Sequence, residues 1–100
     1  MTALINGNYV VSSRDWDNGG TINAGAVTFG SGTSGISGVV AASNSLVGTN
    51  VSDQVGSFGG VTALSNGNYV VSSADWDNRA IVNAGAVTLA LADGSVIGTI

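Results

Sequence analysis

Residues 2–13 read TALINGNYVVSS, and residues 62–73 read TALSNGNYVVSS. The echo continues through DWDN at 15–18 and 75–78 and NAGAVT at 23–28 and 83–88. At an offset of 60, 21 of the 27 positions in 2–28 are identical in 62–88. A weaker match runs on to GISGVV at 35–40 against SVIGTI at 95–100. The 100 residues are thus one period of 60 and the first 40 of a second. Residues 41–60, AASNSLVGTNVSDQVGSFGG, occur once. A period in this range points to an array or a propeller, in which each unit buries its apolar surface against its neighbours. The expected organisation is a first blade with its connection at 1–60 and a second blade at 61–100.

Each period decodes as short strands. Thr2–Ile5 and Asn8–Ser12 flank Asn6-Gly7, a dipeptide that suits a two-residue hairpin turn because both positions tolerate positive φ. That turn pairs Ile5 with Asn8, Leu4 with Tyr9 and Ala3 with Val10. Asn66-Gly67 repeats the device between Val61–Ser65 and Asn68–Ser72. The polar, glycine-rich run from Ser13 to Asn23 reads as a long loop. Ala24–Phe29 and Ala84–Leu91 are expected as third strands. The fourth is Gly38–Ala42 or, better, Asn44–Val47 in the first copy. In the second it is Ser95–Ile100, after a tight turn at Ala92-Asp93-Gly94. Four antiparallel strands per period make a propeller blade, so the expected fold is all-β with two four-stranded antiparallel blades per chain.

Composition narrows the chemistry. The chain has 16 Gly and no Pro, Cys, His, Lys or Glu. Its charges are Arg14 and Arg79 against Asp15, Asp17, Asp53, Asp75, Asp77 and Asp93, a net −4. Without Cys or His there is no thiol nucleophile, disulfide framework, zinc finger or Ser-His-Asp triad. Without Lys there is no Schiff base and no P-loop lysine. Two arginines against six aspartates do not grip a phosphate backbone, so no nucleic-acid partner is expected. The apolar set leans on Val, Ile and Ala, a strand composition. No apolar run approaches the roughly 18 residues of a membrane span, and MTALINGNYVV lacks the basic and apolar regions of a signal peptide.

The run G-V-T-A-L-S-N-G-N-Y-V-V-S-S…G-A-V-T…S-L-V-G resembles the FG-GAP repeat of integrin alpha-chain propellers and their bacterial relatives. It is closer still to the roughly 60-residue repeats strung along bacterial haemagglutinin-like surface proteins. The resemblance covers nearly the whole chain. It implies Val61–Leu64 as an innermost strand, Tyr69–Ser72 as the second, Gly85–Leu89 as the third and Ser45–Gly48 as an outer strand leading on through Gly56–Gly60. It also implies a bacterial cell-surface or secreted setting. Many FG-GAP repeats carry an Asp-rich calcium loop in the first hairpin. Here that loop is Ile5-Asn6-Gly7-Asn8 and Ser65-Asn66-Gly67-Asn68, without a carboxylate, so neither a metal nor a cofactor is expected.

The chemically richest stretches are Asp15-Trp16-Asp17-Asn18 and Asp75-Trp76-Asp77-Asn78. Carboxylates at i and i+2 share a side if the backbone is extended, which suits a hard cation needing six to eight oxygens. Gly19 stands where a third acidic ligand belongs, however, and Arg79 takes that place in the second copy. An indole beside Asp and Asn acceptors also suits a pyranose, making a glycan the candidate ligand of a multivalent lectin. The plainer reading is structural, with Asp and Asn closing turns through their own backbone and Trp packing against a neighbouring blade. Catalysis is not expected, since no third group accompanies the aspartates and no base accompanies the serines.

Two blades cover one of their interfaces and leave two faces open. Closed propellers have 4–8 blades, so the ring is expected to be completed by oligomerisation, as a trimer first and a tetramer next, through head-to-tail contacts. The near-identity of the copies fits recent duplication, or an engineered or excised unit of a repeat array. The expected function is a non-enzymatic, self-assembling structural or adhesive module, with the lectin as the alternative.

Overall fold

In the computed structural model, residues 2–5, 7–57, 60–78 and 80–100 are described. Among them there is no helix, and the chain is all-β. Eight strands form in order: β1 (Thr2–Ala3), β2 (Tyr9–Ser13), β3 (Ala26–Gly30), β4 (Ser45–Val47), β5 (Val61–Ala63), β6 (Tyr69–Ser73), β7 (Ala86–Ala90) and β8 (Gly98–Thr99). One sheet has the order β1-β2-β3-β4-β8 and the other β5-β6-β7. All neighbours are antiparallel except β4 and β8.

The hairpin differs from the two-residue turn expected. Ala3 pairs with Tyr9 and Thr2 with Val10, one residue away from the expected register, and Ala63 pairs with Tyr69 in the same way. Leu64 N–H donates to Asn68 O at 2.9 Å, and Gly67 N–H donates to Leu64 O at 3.2 Å. Those two bonds define a three-residue loop, a type I turn closed by a glycine in the left-handed region. Gly67 holds φ +90°, and Asn66 stays out of that region. Asn66 instead accepts the Asn68 N–H on its side chain at 3.1 Å. Leu4, Gly7 and Asn8 repeat the backbone bonds, with Gly7 at φ +91°; Asn6 lies outside the described residues. A slip of one residue turns each side chain to the other face, so the loop decides which β1 and β5 side chains face the core.

The fourth strand forms in the first copy as Ser45–Val47 but not beside β7 in the second. Asn68 Oδ1 accepts the Ala92 N–H at 2.8 Å and ties the chain after β7 to the β5–β6 turn. Asp93 Oδ1 then accepts the Ser95 N–H at 3.0 Å. The chain leaves β7 and runs to the first sheet, where β8 pairs in parallel with β4, Leu46 opposite Gly98 and Val47 opposite Thr99. Val96 and Ile100 pack against the core on the way. The second repeat therefore has three strands in its own sheet, and its last strand covers the edge of the other, an exposed row of backbone groups that would otherwise stay unpaired.

The two sheets meet through unlike faces. Residues directly opposite in an antiparallel pair share a face. Val10 pairs with Phe29, Ser12 with Val27, and Val27 with Leu46, and these form one face, here called A. Tyr69 pairs with Ala90, Val71 with Thr88 and Ser73 with Ala86, and these form the opposite face, B. Face A of the first sheet packs on face B of the second. Val10, Val27, Leu46, Tyr69, Val71 and Ala90 are all buried, with Leu4 and Val55 completing the cluster. The Phe29 and Tyr69 rings stack across the interface, 6.2 Å between centroids and 15° between planes. Each fully buried Val or Leu contributes about 1.5–3 kcal/mol, so this contact dominates stability. On the far side, face B of the first sheet and the segment between β3 and β4 line a shared pocket, with Val11 and Thr28 from the sheet and Ile36 and Val40 from the segment.

Gly67→Val should cost about 1–3 kcal/mol, because a β-branched residue does not settle at positive φ; a denaturant melt matching the parent would contradict the three-residue loop. Burial, and after it the Asp93 carboxylate, raises the Tyr69 phenol above the usual tyrosine value. The folded state holds that proton more tightly than the unfolded chain. Its contribution is therefore complete below the unfolded value of about 10 and is lost as pH rises through the folded one. Stability should fall as pH rises above about 10 in parallel denaturant titrations, and Tyr69→Phe should flatten that slope.

Candidate functional site

The two DWDN segments follow β2 and β6 and fold alike. Trp16 N–H donates to Ser13 O (3.1 Å), and Trp16 O accepts from Gly25 N–H (2.9 Å). Trp76 makes the equivalent bonds with Ser73 (3.2 Å) and Gly85 (2.9 Å). Asn18 and Thr21 exchange two backbone hydrogen bonds of 2.9 Å, as do Asn78 and Ile81. Asp17 Oδ1 accepts the Asn23 N–H at 2.8 Å, and Asp77 Oδ1 accepts the Asn83 N–H at 2.9 Å. Asn23 and Asn83 both stand at φ +55°. A carboxylate bond six residues along thus fixes an unfavourable backbone conformation in each copy.

This geometry divides the predicted site residues. Asp15 is exposed and lies 4.0 Å from the Arg14 guanidinium, whereas Asp17 turns to its own loop. Asn18 Nδ2 donates to Gly48 O at 3.0 Å. In the second copy Asp75 and Trp76 are half-buried, Asp77 closes the loop, and Asn78 is exposed. Trp16 is half-buried as well. The described residues hold no group of three or more acidic side chains placed to share a metal ion. Arg79, which replaces Gly19 in the second copy, lies outside the described residues.

The loops are joined by the single-copy connection, whose importance the repeat pattern does not signal. Asp53 is fully buried. Its Oδ2 accepts the N–H groups of Thr49 and Asn50 at 3.1 Å each, which curls the connection on itself. Its Oδ1 accepts the Asp77 N–H at 2.9 Å, which ties the connection to the second repeat. On its other side the connection lies along the first repeat's loop. Ser52 N–H donates to Ile22 O, Gln54 N–H to Asn23 O and Val55 N–H to Ala24 O, at 3.0–3.1 Å. Sequence reasoning also missed Asn8 and Asn68, whose side-chain oxygens hold the N–H groups of Gly32 and Ala92. Their signal was present, since both sit in the identical block after the turn glycine.

The arrangement offers loop closure and inter-repeat attachment, and its carboxylates each act alone. The profile of a family described as a repeat of unknown function (DUF5650) matches residues 3–57 and 63–100. No curated protein and no solved structure matches the chain.

Asp53→Ala leaves three part-buried backbone donors without their acceptor and should destabilise by about 3 kcal/mol. Asp15→Asn combined with Asp17→Asn keeps an acceptor for Asn23 and should change stability by less than about 0.5 kcal/mol, equally in calcium and in EDTA. Thermal melts of both variants check the contrast, and a calcium-dependent loss in the double variant would favour an ion site.

Proposed function

We propose that this chain, which belongs to the DUF5650 repeat family, is a non-enzymatic structural module. Its repeats stack in the manner of propeller blades, and it associates with its own copies through the face its second repeat leaves open. The observation that carries this reading is the unequal treatment of two equivalent faces. Val27, on face A of the first repeat, is 3% exposed, and its counterpart Val87 is 75% exposed. Leu89, in the position of half-buried Phe29, is 57% exposed. The first face is covered by face B of the next repeat, and the second has the composition to receive the same partner. Leu91 and Val82 add to the apolar surface, and contiguous exposed apolar patches mark association sites.

Strands β1 and β5 lie against one another, which supports placing them innermost in a blade-like arrangement about a common axis. Three copies then supply six blades and four copies supply eight. The segment over face B of the first repeat falls within such a contact. The repeated packing surface supports a scaffold or adhesive role.

Light scattering at micromolar concentration should give three times 9.8 kDa, or four times for the larger ring. Val87→Ser combined with Leu89→Ser should return the particle to monomer mass with its far-ultraviolet circular dichroism unchanged. A parent particle of 9.8 kDa with cooperative melting would overturn the reading. A glycan array separates it from the lectin alternative, which requires binding that is lost when Trp16 and Trp76 are replaced.

A further inference from the structure

Beside the open face lies a groove of about 440 Å³ lined by Ser72, Ser73, Ala84, Gly85, Ala86 and Val87. The same positions of the first repeat are filled. Gly25 sits so close to Gln54 and Val55 that a Cβ there would collide with their backbone. Gly56 lies against the Val27 side chain and the Ser12 hydroxyl, and Gly48 against Ala24 O. Ala24 and Ala26 are consequently 0% exposed, whereas Ala84 is exposed and Ala86 half-buried. At Gly85 the nearest atom to such a Cβ is Ala74 O at 3.4 Å, and nothing takes the place of Val55.

The backbone repeats the contrast. The carbonyls of Ile22, Asn23 and Ala24 accept the three N–H groups of the connection. Among the described residues no N–H reaches the corresponding carbonyls of Val82, Asn83 and Ala84. At the adjoining edge, β3 pairs with β4 through Ala26 with Val47, Val27 with Leu46 and Thr28 with Ser45. The matching edge of β7 has no partner strand among the described residues. Residues 84–88 are identical to 24–28, so the groove and edge present the same shape and the same donors and acceptors as the filled site.

We propose that the groove and the β7 edge form a docking site for a segment of the Ser45–Ser57 type, supplied by another repeat of the same family. This deepens the stacking reading and rests on it. The incoming Ser-Leu-Val pairs with Thr88, Val87 and Ala86. Its leucine covers the side of Val87 that Leu46 covers on Val27. Its valine, equivalent to Val55, enters the groove over Gly85, and its N–H groups equivalent to those of Ser52, Gln54 and Val55 donate to the carbonyls of Val82, Asn83 and Ala84. Asp53 keeps such a segment curled through its bonds to Thr49 and Asn50, which lowers the ordering cost of docking.

The test adds a synthetic peptide of residues 44–57 to the intact chain, up to millimolar concentration, and follows backbone amide resonances. Saturable shifts at Ala84 to Thr88, absent with a Val55→Asp peptide, are expected. In parallel, a copy of residues 41–60 is joined after Ile100, which raises the effective concentration of the segment. That chain should melt several degrees above the parent, and the gain should vanish when the valine corresponding to Val55 is replaced by aspartate. Unchanged Ala84 to Thr88 resonances in both experiments, or equal effects of the Val55→Asp sequence, would overturn the proposal. A monomeric parent that still binds the peptide removes self-association and leaves the docking site. An oligomeric parent that ignores both segments removes the docking site and leaves self-association.

Discussion

Face A of one repeat lying on face B of the next is the contact on which the rest of the molecule depends. The main apolar cluster is shared between the two sheets. The first supplies Val10, Val27 and Leu46 and the second supplies Tyr69, Val71 and Ala90. Small β units bury too little surface alone, and repeats overcome this by sharing one apolar layer between neighbours. Because the faces differ, the contact is heterologous, and the second repeat, which uses its face B, leaves Val87 and Leu89 of its face A exposed. The stacked rings of Phe29 and Tyr69 add a directional element that aliphatic packing lacks.

The connection between the repeats sets how the faces meet. Asp53 is the one buried carboxylate among the described residues, and its acceptor capacity is directed to three backbone N–H groups. Burying a charge is costly unless hydrogen bonds replace its water, so the segment around Asp53 has little freedom to rearrange. Ser52 at φ +61° and Gln54 at φ +47° show that the chain accepts unfavourable backbone angles there. Hydrogen bonds to Ile22, Asn23, Ala24 and Asp77 hold those angles in place. The proposed stacking function asks this of a connection, which must orient two repeats rather than merely join them.

The DWDN loops attract attention as chemistry, yet their clearest work is architectural. Asp17 and Asp77 each close a loop onto an asparagine with positive φ. Asn18 and Asp77 are points at which the connection is attached. Identity between the copies in these stretches follows from a shared backbone problem, which any repeat built on this plan must solve the same way.

How much was legible in the sequence depended on whether the cause was local. The 60-residue offset, alternation in YVVSS and the turn glycines determined an all-β chain of repeated hairpins, because propensity, alternation and positive φ act within a few residues. The loop-closing role of the aspartates was legible for the same reason. The hairpin register was not, since Asn-Gly is compatible with a two-residue and a three-residue loop and the difference lies in which glycine bond closes. The partner of β8 was not legible either. Residues 95–100 carry the apolar pattern of a strand, but that pattern does not say which edge is open, and β4 lies some 50 residues away in the chain. Asp53 escaped notice because a single carboxylate in a unique segment looks like any surface aspartate until folding surrounds it with N–H groups. Local geometry is written in neighbouring residues, whereas edge, face and burial are properties of the assembled sheets, and those only the tertiary structure decided.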